Sequence, residues 1–178
     1  MDDAPGELDL RRYVRDIPDF PTPGIVFRDI TPLLLNPDAL DGAVSRLARY
    51  ARPHAVDLVV AAEARGFMLG GALARALGAG FVPARKRGKL PSATVMAEYA
   101  LEYGVDALEM HADALAGGAR VLIHDDLLAT GGTALALAEL VQQLGAEVVG
   151  CAFLVELTAL GGRAALGAFD VHALIAYD

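Results

Sequence analysis

The chain has 178 residues, of which 54% are hydrophobic and 21% are charged, and its formal net charge is −8. This length and composition predict a single folded domain over residues 1–178 and exclude a disordered chain. The acidic balance argues against a nucleic-acid or membrane partner, so an anionic ligand would need a local site. Cys151 is the only cysteine, which excludes a disulfide framework and a cysteine zinc cluster. The acidic first ten residues do not resemble a signal peptide, and we expect a cytoplasmic protein.

Apolar segments of strand length alternate with helical patterns along most of the chain. In chain order, the predicted elements are a helix over 38–52, a strand over 57–62, a helix over 66–77, strands over 80–84 and 120–124, a helix over 131–144, and strands over 147–156 and 171–177. Buried strands that alternate with helices are typical of an α/β fold with a parallel sheet covered on both faces. Ligands of such sheets bind beyond the carboxyl ends of the strands.

The segment between Ala84 and Arg120 does not follow this alternation. It contains 35 residues without an obvious core helix, and a connection of that length usually has a functional role. Residues 94–103 carry β-branched and aromatic side chains and lack a helix cap. They predict a two-stranded flap that turns near Gly104, with Glu98 and Glu102 on one face.

Residues 121–133 read VLIHDDLLATGGT, a strand followed by a glycine turn and a helix. Gly131 and Gly132 allow the backbone to bend so that several N–H groups converge, and the positive end of the helix follows. Thr130 and Thr133 add hydroxyl donors. The turn therefore predicts a phosphate site, although no Walker A motif and no GxGxxG fingerprint is present.

Two adjacent carboxylates, Asp125 and Asp126, precede this turn. They suit the hydroxyl groups of a polyol, or a magnesium ion that is bound to the same ligand. A phosphorylated sugar would satisfy both the turn and the acidic pair. The alternative is an ordinary helix N-terminus with acidic caps.

A basic cluster, RKRGK at 85–89, follows the strand over 80–84 and contains both lysines of the chain, Lys86 and Lys89. Concentrated positive charge in an acidic protein predicts anion binding there. The alternative is a solvated loop.

The segment VLIHDDLLATGGT resembles the phosphoribosyl pyrophosphate (PRPP) signature of the type I phosphoribosyltransferases. Four more segments, FPTPGIVFRDITPLL, EARGF, RKRGKLP and EYALEYG, together resemble the adenine phosphoribosyltransferases of that family. The match extends from about Ile17 to the C-terminus. It implies a central parallel sheet flanked by helices, a flexible hood over residues 86–112, and an N-terminal segment, residues 1–35, that contributes to the base pocket.

The resemblance also implies an activity, which is Mg²⁺-dependent transfer of phosphoribose from PRPP to adenine, giving AMP and pyrophosphate. A homodimer is expected for the same reason. The residues implied for PRPP are Ala129, Thr130, Gly131, Gly132 and Thr133 for the 5′-phosphate, Asp125 and Asp126 for the ribose hydroxyls, and Arg65, Arg85, Lys86, Arg87 and Lys89 for pyrophosphate. Magnesium would be held through PRPP, with Asp125 and Asp126 as candidate partners.

For adenine, the resemblance implies Phe27 as the stacking residue, Leu127 on the opposite face, and backbone groups of Val26 and Arg28. Without the resemblance, Phe27 reads as a core residue, and Arg28 with Asp29 reads as a structural ion pair. Glu102 is implied as the acceptor of the proton that leaves the purine ring, with Glu98 as the alternative.

Two positions depart from the family pattern. His124 stands where the signature usually has an apolar strand residue, and we expect a satisfied, partly buried histidine. Ala100 stands where a polar hood residue is common. Two other functions stay open at this point: transfer to a different purine base, and PRPP binding without catalysis by a regulator.

Overall fold

The computed structural model describes residues 8–101 and 104–178 of the protein. The chain divides into two compact units, the first ending at Arg46 and the second beginning at Leu47.

The first unit contains a two-stranded sheet that the sequence analysis did not predict. Its elements are a short 3-10 helix, Leu10–Tyr13, the strands β1, Arg15–Pro18, and β2, Val26–Asp29, the helix α1, Thr31–Leu35, and the first part of α2, Pro37–Ala51. β1 and β2 are antiparallel, with Ile17 opposite Phe27. The Asn36 side chain accepts a hydrogen bond of 2.9 Å from the N–H of Ala39, so it caps α2 as the Asn-Pro pair predicts.

The second unit is built on a seven-stranded sheet. Its strands are β3, Leu58–Ala62, β4, Gly80–Lys86, β5, Thr94–Leu101, β6, Gly104–His111, β7, Arg120–Leu128, β8, Glu147–Leu157, and β9, Val171–Tyr177. Its helices, besides the end of α2, are α3, Gly66–Leu77, α4, Gly132–Gln143, and α5, Gly162–Ala165. The strand order is β5-β6-β4-β3-β7-β8-β9. β3, β4, β7, β8 and β9 are parallel, as predicted.

The predicted flap is confirmed as a hairpin of β5 and β6. The two strands pair antiparallel from Thr94, opposite His111, to Leu101, opposite Gly104. β6 also pairs with the end of β4, where Arg85 lies opposite Glu109. The hairpin therefore extends the edge of the parallel sheet.

Most predicted boundaries agree with the structure, and α3 and β9 agree residue for residue. Two strand ends are wrong. The strand predicted over 80–84 continues to Lys86, so Arg85 and Lys86 of the basic cluster belong to β4, and the strand predicted over 120–124 continues to the end of β7. Leu127 pairs with Val155 and Leu128 pairs with Glu156 of β8. The acidic pair is therefore part of the strand and does not follow it.

The core of the second unit lies on both faces of the sheet. Leu122 and Ile123 of β7 are both fully buried, but they belong to different clusters because successive side chains of a strand point to opposite faces. Leu122 packs with α2 and α3, and Ile123 packs with α4. Each fully buried large aliphatic side chain contributes about 1.5–3 kcal/mol. None of the helices within residues 8–101 and 104–178 combines the length and the hydrophobicity that a membrane-spanning helix requires.

His124 of β7 is completely buried, which corrects the expectation of a partly buried and satisfied histidine. Its Nδ1 lies 2.8 Å from the carbonyl oxygen of Ala152, so the Nδ1–H donates this hydrogen bond. The other ring nitrogen, Nε2, has no hydrogen-bond partner among the residues the structure describes. Burial lowers the pKa of His124 from 6.5 to about 4. The ring is therefore neutral in the folded protein at neutral pH.

We predict that His124→Val makes the protein less sensitive to mild acid. The unfolded chain protonates His124 below pH 6.5 whereas the folded protein does so only near pH 4, so folding stability falls as the pH drops between these values. With about 1.4 kcal/mol for each pKa unit, the loss is on the order of 3 kcal/mol. Urea unfolding of both proteins at about pH 7 and pH 4.5 measures it. An identical pH dependence in the variant would contradict this account.

Candidate active site

A cleft of about 170 Å³ opens at the carboxyl end of β7. This is the edge at which parallel sheets bind ligands. The cleft is lined by Arg65, Asp125, Asp126, Leu127, Leu128, Ala129, Thr130, Gly131, Gly132, Thr133, Ala134 and Phe153. The structure thus brings together the predicted phosphate turn, the acidic pair, Arg65 and Leu127.

The phosphate turn connects β7 to α4. Gly131 has a φ of +90°, a left-handed conformation that glycine adopts without steric cost. The N–H of Leu135 donates to the carbonyl of Gly131 at 2.9 Å, which is the first turn of the helix. The N–H groups at the start of an α-helix have no acceptor within the helix and carry partial positive charge. In this protein these N–H groups belong to residues that line the cleft, so the side of the cleft formed by the phosphate turn can bind an anion.

The acidic pair forms the neighbouring wall. Only 4% of Asp126 is exposed, and Arg65 Nε lies 2.8 Å from its Oδ2. The N–H of Asp126 donates to Oδ1 of Asp125 at 2.9 Å. Burial, followed by the charge of Asp126, raises the pKa of Asp125 well above its usual range. Burial also raises the pKa of Asp126, although Arg65 opposes the shift. Hydroxyl donors or a cation in the cleft would stabilise both carboxylates.

Glu63, which the sequence analysis did not single out, holds the end of β4. Arg85 donates to both oxygens of Glu63, from Nε at 3.2 Å and from Nη2 at 3.3 Å. The backbone N–H of Lys86 donates to the same carboxylate at 3.0 Å. The hydrogen bond from Arg85 is the main reason why the pKa of Glu63 is lowered. The position of Glu63 in the EARGF segment, two residues before Arg65, was the available signal.

Asp106 of β6 joins the basic cluster to the hairpin. Its Oδ2 lies 3.3 Å from Nζ of Lys86 and accepts a hydrogen bond of 3.2 Å from the hydroxyl of Tyr99. Burial, assisted by Asp106, raises the pKa of Tyr99 to about 12. The sequence offered no signal for this contact, because Asp106 and Lys86 are brought together only by the pairing of β6 with β4.

The basic cluster at 85–89 does not line the cleft that the described residues form around the phosphate turn; of the predicted pyrophosphate residues, only Arg65 does. Arg85 is half-buried, and Lys86, Arg87 and Lys89 are exposed. Their assignment to pyrophosphate therefore stays a prediction.

The N-terminal residues predicted for adenine lie on β2 in the first unit. Phe27 is partly exposed and meets the ring of Phe20 edge to face, with centroids 5.2 Å apart. Arg28 forms an ion pair with Asp16. Asp29 instead accepts a hydrogen bond of 2.6 Å from Arg15. The alternative of an Arg28–Asp29 pair is therefore wrong.

Glu102 lies outside the described residues, so its prediction is untested. Glu98 is exposed on β5, opposite Ala107 of β6. Ala100, the second departure from the family pattern, pairs with Val105 in the same ladder.

Comparison with known proteins agrees with this architecture. Residues 36–165 match the phosphoribosyl transferase domain family. The adenine phosphoribosyltransferase of Thermotoga maritima is 58% identical over 171 residues, which cover 96% of this chain and 99% of that protein. The crystal structure of adenine phosphoribosyltransferase from Thermoanaerobacter pseudethanolicus has a TM-score of 0.92 at 50% identity and covers 94% of this chain and 98% of its own.

A third relative was crystallised with ligands. It is the adenine phosphoribosyltransferase of Saccharomyces cerevisiae, in complex with D-2,5-dideoxy-2,5-imino-altritol 1,6-bisphosphate and adenine. This structure has a TM-score of 0.88 at 39% identity and covers 92% of this chain and 95% of its own. The fold, the cleft and these likenesses together show that the chain belongs to the phosphoribosyltransferase family and, within it, to the adenine phosphoribosyltransferases.

Proposed function

We propose that this protein transfers phosphoribose from PRPP to adenine, forming AMP and pyrophosphate in a Mg²⁺-dependent reaction. The observation that carries the proposal is that the Ala129–Thr133 turn and the acidic pair line the same cleft. A phosphorylated sugar needs both an anion site and hydroxyl acceptors, and these are a few residues apart here. We also propose that the enzyme acts in the cytoplasm as a homodimer, as the family resemblance implies.

In this proposal the turn binds the 5′-phosphate of PRPP. Hydrogen bonds to a charged group contribute about 1.5–3 kcal/mol each, so three or four from the N–H groups and threonine hydroxyls of the turn hold a phosphate without a lysine. Asp125 and Asp126 accept hydrogen bonds from the ribose hydroxyls. Their negative charge also stabilises the sugar as it becomes positive during the reaction.

The carboxylates of the cleft also suit a magnesium ion that is bound through the substrate. Mg²⁺ prefers oxygen ligands and usually combines one or two carboxylates with phosphates and water. Asp125 and Asp126 supply such carboxylates in the cleft. Among the described residues no cluster of three or more metal-binding side chains occurs. When bound, the ion would neutralise charge on the departing pyrophosphate.

We assign binding of the departing pyrophosphate to basic side chains, three of which form ion pairs with carboxylates in the structure. Arg65 contacts Asp126, Arg85 contacts Glu63 and Lys86 contacts Asp106. Ion pairs of this kind fix the direction of the cations before the ligand arrives, which lowers the entropy that binding costs. Arg87 and Lys89 complete the proposed set.

Adenine is the proposed acceptor because the similar enzymes carry that name, and the S. cerevisiae structure contains adenine. We assign stacking on adenine to Phe27, contact with the opposite ring face to Leu127, and recognition of the purine edge to the backbone of Val26 and Arg28. Adenine has a 6-amino group where hypoxanthine and xanthine have a 6-oxo group, so a pocket suited to one discriminates against the other.

Attack through N9 of adenine requires loss of a ring proton. We assign this proton to Glu102, because a carboxylate held near N7 or N9 can accept it. Glu98 is the alternative acceptor.

The direct test is formation of AMP from adenine and PRPP, with and without Mg²⁺. We expect turnover with adenine only when Mg²⁺ is present, and weak or no turnover with hypoxanthine and xanthine. Faster turnover with an oxo-purine than with adenine would make that base the substrate in place of adenine. Binding of PRPP without any product would instead indicate a regulator and would contradict the proposal.

We predict that Asp125→Asn stabilises the free protein while it weakens PRPP binding. Because burial raises the pKa of Asp125 in the folded protein, folding stability falls as the pH rises above the ordinary value of 3.8, and asparagine removes this cost. The melting temperature should therefore rise at pH 7, by about 2–4 °C for each kcal/mol gained, and the gain should vanish near pH 3. Loss of one charged hydrogen-bond acceptor should weaken PRPP binding by roughly 10–100-fold.

The matched control is Asp113→Asn, which changes an exposed carboxylate outside the cleft and should alter neither quantity. A lower melting temperature for Asp125→Asn at pH 7, or equal losses for PRPP and adenine, would contradict the assignment.

We predict that Glu102→Gln slows turnover by roughly 10²–10⁴-fold and leaves PRPP affinity nearly unchanged, because it removes a proton acceptor and no phosphate contact. Steady-state kinetics of the wild type, of Glu102→Gln and of the matched variant Glu98→Gln measures the turnover rate and the KM for PRPP. A normal rate for Glu102→Gln together with a slow Glu98→Gln would transfer the role to Glu98.

A further inference from the structure

The segment that follows β8 lies directly against the phosphate turn. It comprises a 3-10 helix, Thr158–Leu160, then Gly161, α5 and Leu166. We name residues 158–166 the platform. The sequence pattern predicts no helix or strand over these residues, and they are not part of the PRPP signature.

The platform and the turn meet backbone against backbone. A Cβ placed on Gly162 would overlap the carbonyl oxygen of Ala129 and would lie 2.8 Å from Cδ1 of Leu128. In the opposite direction, a Cβ on Gly131 would lie 3.1 Å from the carbonyl oxygen of Gly162 and 3.3 Å from Cβ of Ala165. This spacing leaves no room for a Cβ at Gly162, and a Cβ at Gly131 would force its neighbours to shift by a few tenths of an ångström. The residues of the turn also line the cleft.

Arg163 anchors the platform to the sheet. Its guanidinium donates to both carboxylate oxygens of Glu156, at 3.0 Å from Nε and 2.5 Å from Nη2. Its Nη1 donates to the carbonyl of Val171 at 2.6 Å. Glu156 is 5% exposed and is the β8 partner of Leu128, the last residue of β7 before the turn. One side chain thus links the platform, β8 and β9 beside the origin of the turn.

The contact between the platform and the turn bears on how the turn binds phosphate. N–H donors must point at one place before the ligand arrives, because a displacement of a few tenths of an ångström lengthens several hydrogen bonds at once. Gly131 alone does not fix the turn, since glycine has the largest conformational freedom of any residue. A rigid surface behind the turn supplies the missing restraint.

We propose that the platform presets the shape of the 5′-phosphate turn, and that Gly162 and Arg163 are positioning residues for phosphate binding. Neither residue lines the cleft. Gly162 acts through the carbonyl of Ala129, and Arg163 acts by holding Gly162 in place. The inference rests on the proposed function, since it concerns how the same cleft binds the phosphate of PRPP and AMP.

The first test is Gly162→Ala. The added methyl group must push the Ala129 carbonyl and turn the neighbouring N–H groups away, so we expect AMP affinity to fall by about 10–100-fold and the KM for PRPP to rise similarly. Adenine affinity should change by less than 2-fold, because adenine has no phosphate. Gly117→Ala is the matched control, since a Cβ there meets nothing within 4 Å. Isothermal titration with AMP and with adenine, together with melting temperatures, gives the comparison.

A second series keeps the test decisive if Gly162→Ala does not fold. Arg163→Met removes both hydrogen bonds to Glu156 and the bond to Val171. Arg163→Lys keeps the charge but offers a single point donor. We expect the order wild type, Lys, Met for AMP affinity, with about a 10-fold loss for Met and partial rescue by Lys, while adenine affinity stays constant.

The outcomes separate the two proposals. AMP affinity and the KM for PRPP within 2-fold of wild type in Gly162→Ala and Arg163→Met would overturn the positioning role, as would equal losses for AMP and adenine. If the wild-type protein neither binds AMP nor forms it, the proposed function itself fails, and the platform inference with it.

Discussion

The turn at Gly131 is the feature on which the site depends. Its left-handed backbone ends β7 and begins α4 within a few residues, so the start of the helix is directed into the cleft beside two carboxylates. Without that conformation, the positive end of α4 and the acidic pair would not face one ligand. Both carboxyl groups have raised pKa values because they are buried, and their ionised forms are fully stabilised only when a ligand supplies hydroxyl donors or a cation. Buried carboxyl groups with raised pKa values are common at functional sites.

The acidic protein concentrates its proposed anion-binding cations in a few places and holds them with carboxylates. Glu63 orients Arg85, Asp106 orients Lys86, and Asp126 orients Arg65. The pairs of Arg85 and Lys86 are partly exposed, so each of these two adds little to stability, whereas Asp126 is buried. The ion pairs instead fix the positions of the cations, because they link the loop after β3, the end of β4 and the hairpin of β5 and β6. A polyanionic ligand can compete for these cations while the carboxylates keep them from repelling one another.

The structure could be predicted from the sequence where local periodicity determines it, as in α3. It could also be predicted where a motif is compatible with one backbone conformation, as in the Ala129–Thr133 turn. The sequence was insufficient where tertiary pairing decides. β7 continues through the acidic pair because β8 offers hydrogen-bond partners as far as Glu156, and no local pattern at Asp125 reveals this. The hairpin of β1 and β2 is too short and too polar to give a strand signal. The contact between Gly162 and Ala129 joins positions 33 residues apart and could only be found from the structure.

The central claim is that main-chain groups of the turn bind the 5′-phosphate of a ribose. A crystal structure of the protein with AMP tests it most directly. The account predicts phosphate oxygens about 2.7–3.2 Å from backbone nitrogens within residues 130–133, and ribose hydroxyls at hydrogen-bonding distance from Asp125 or Asp126. A phosphate bound by the basic cluster at 85–89, with the turn unoccupied, would contradict it.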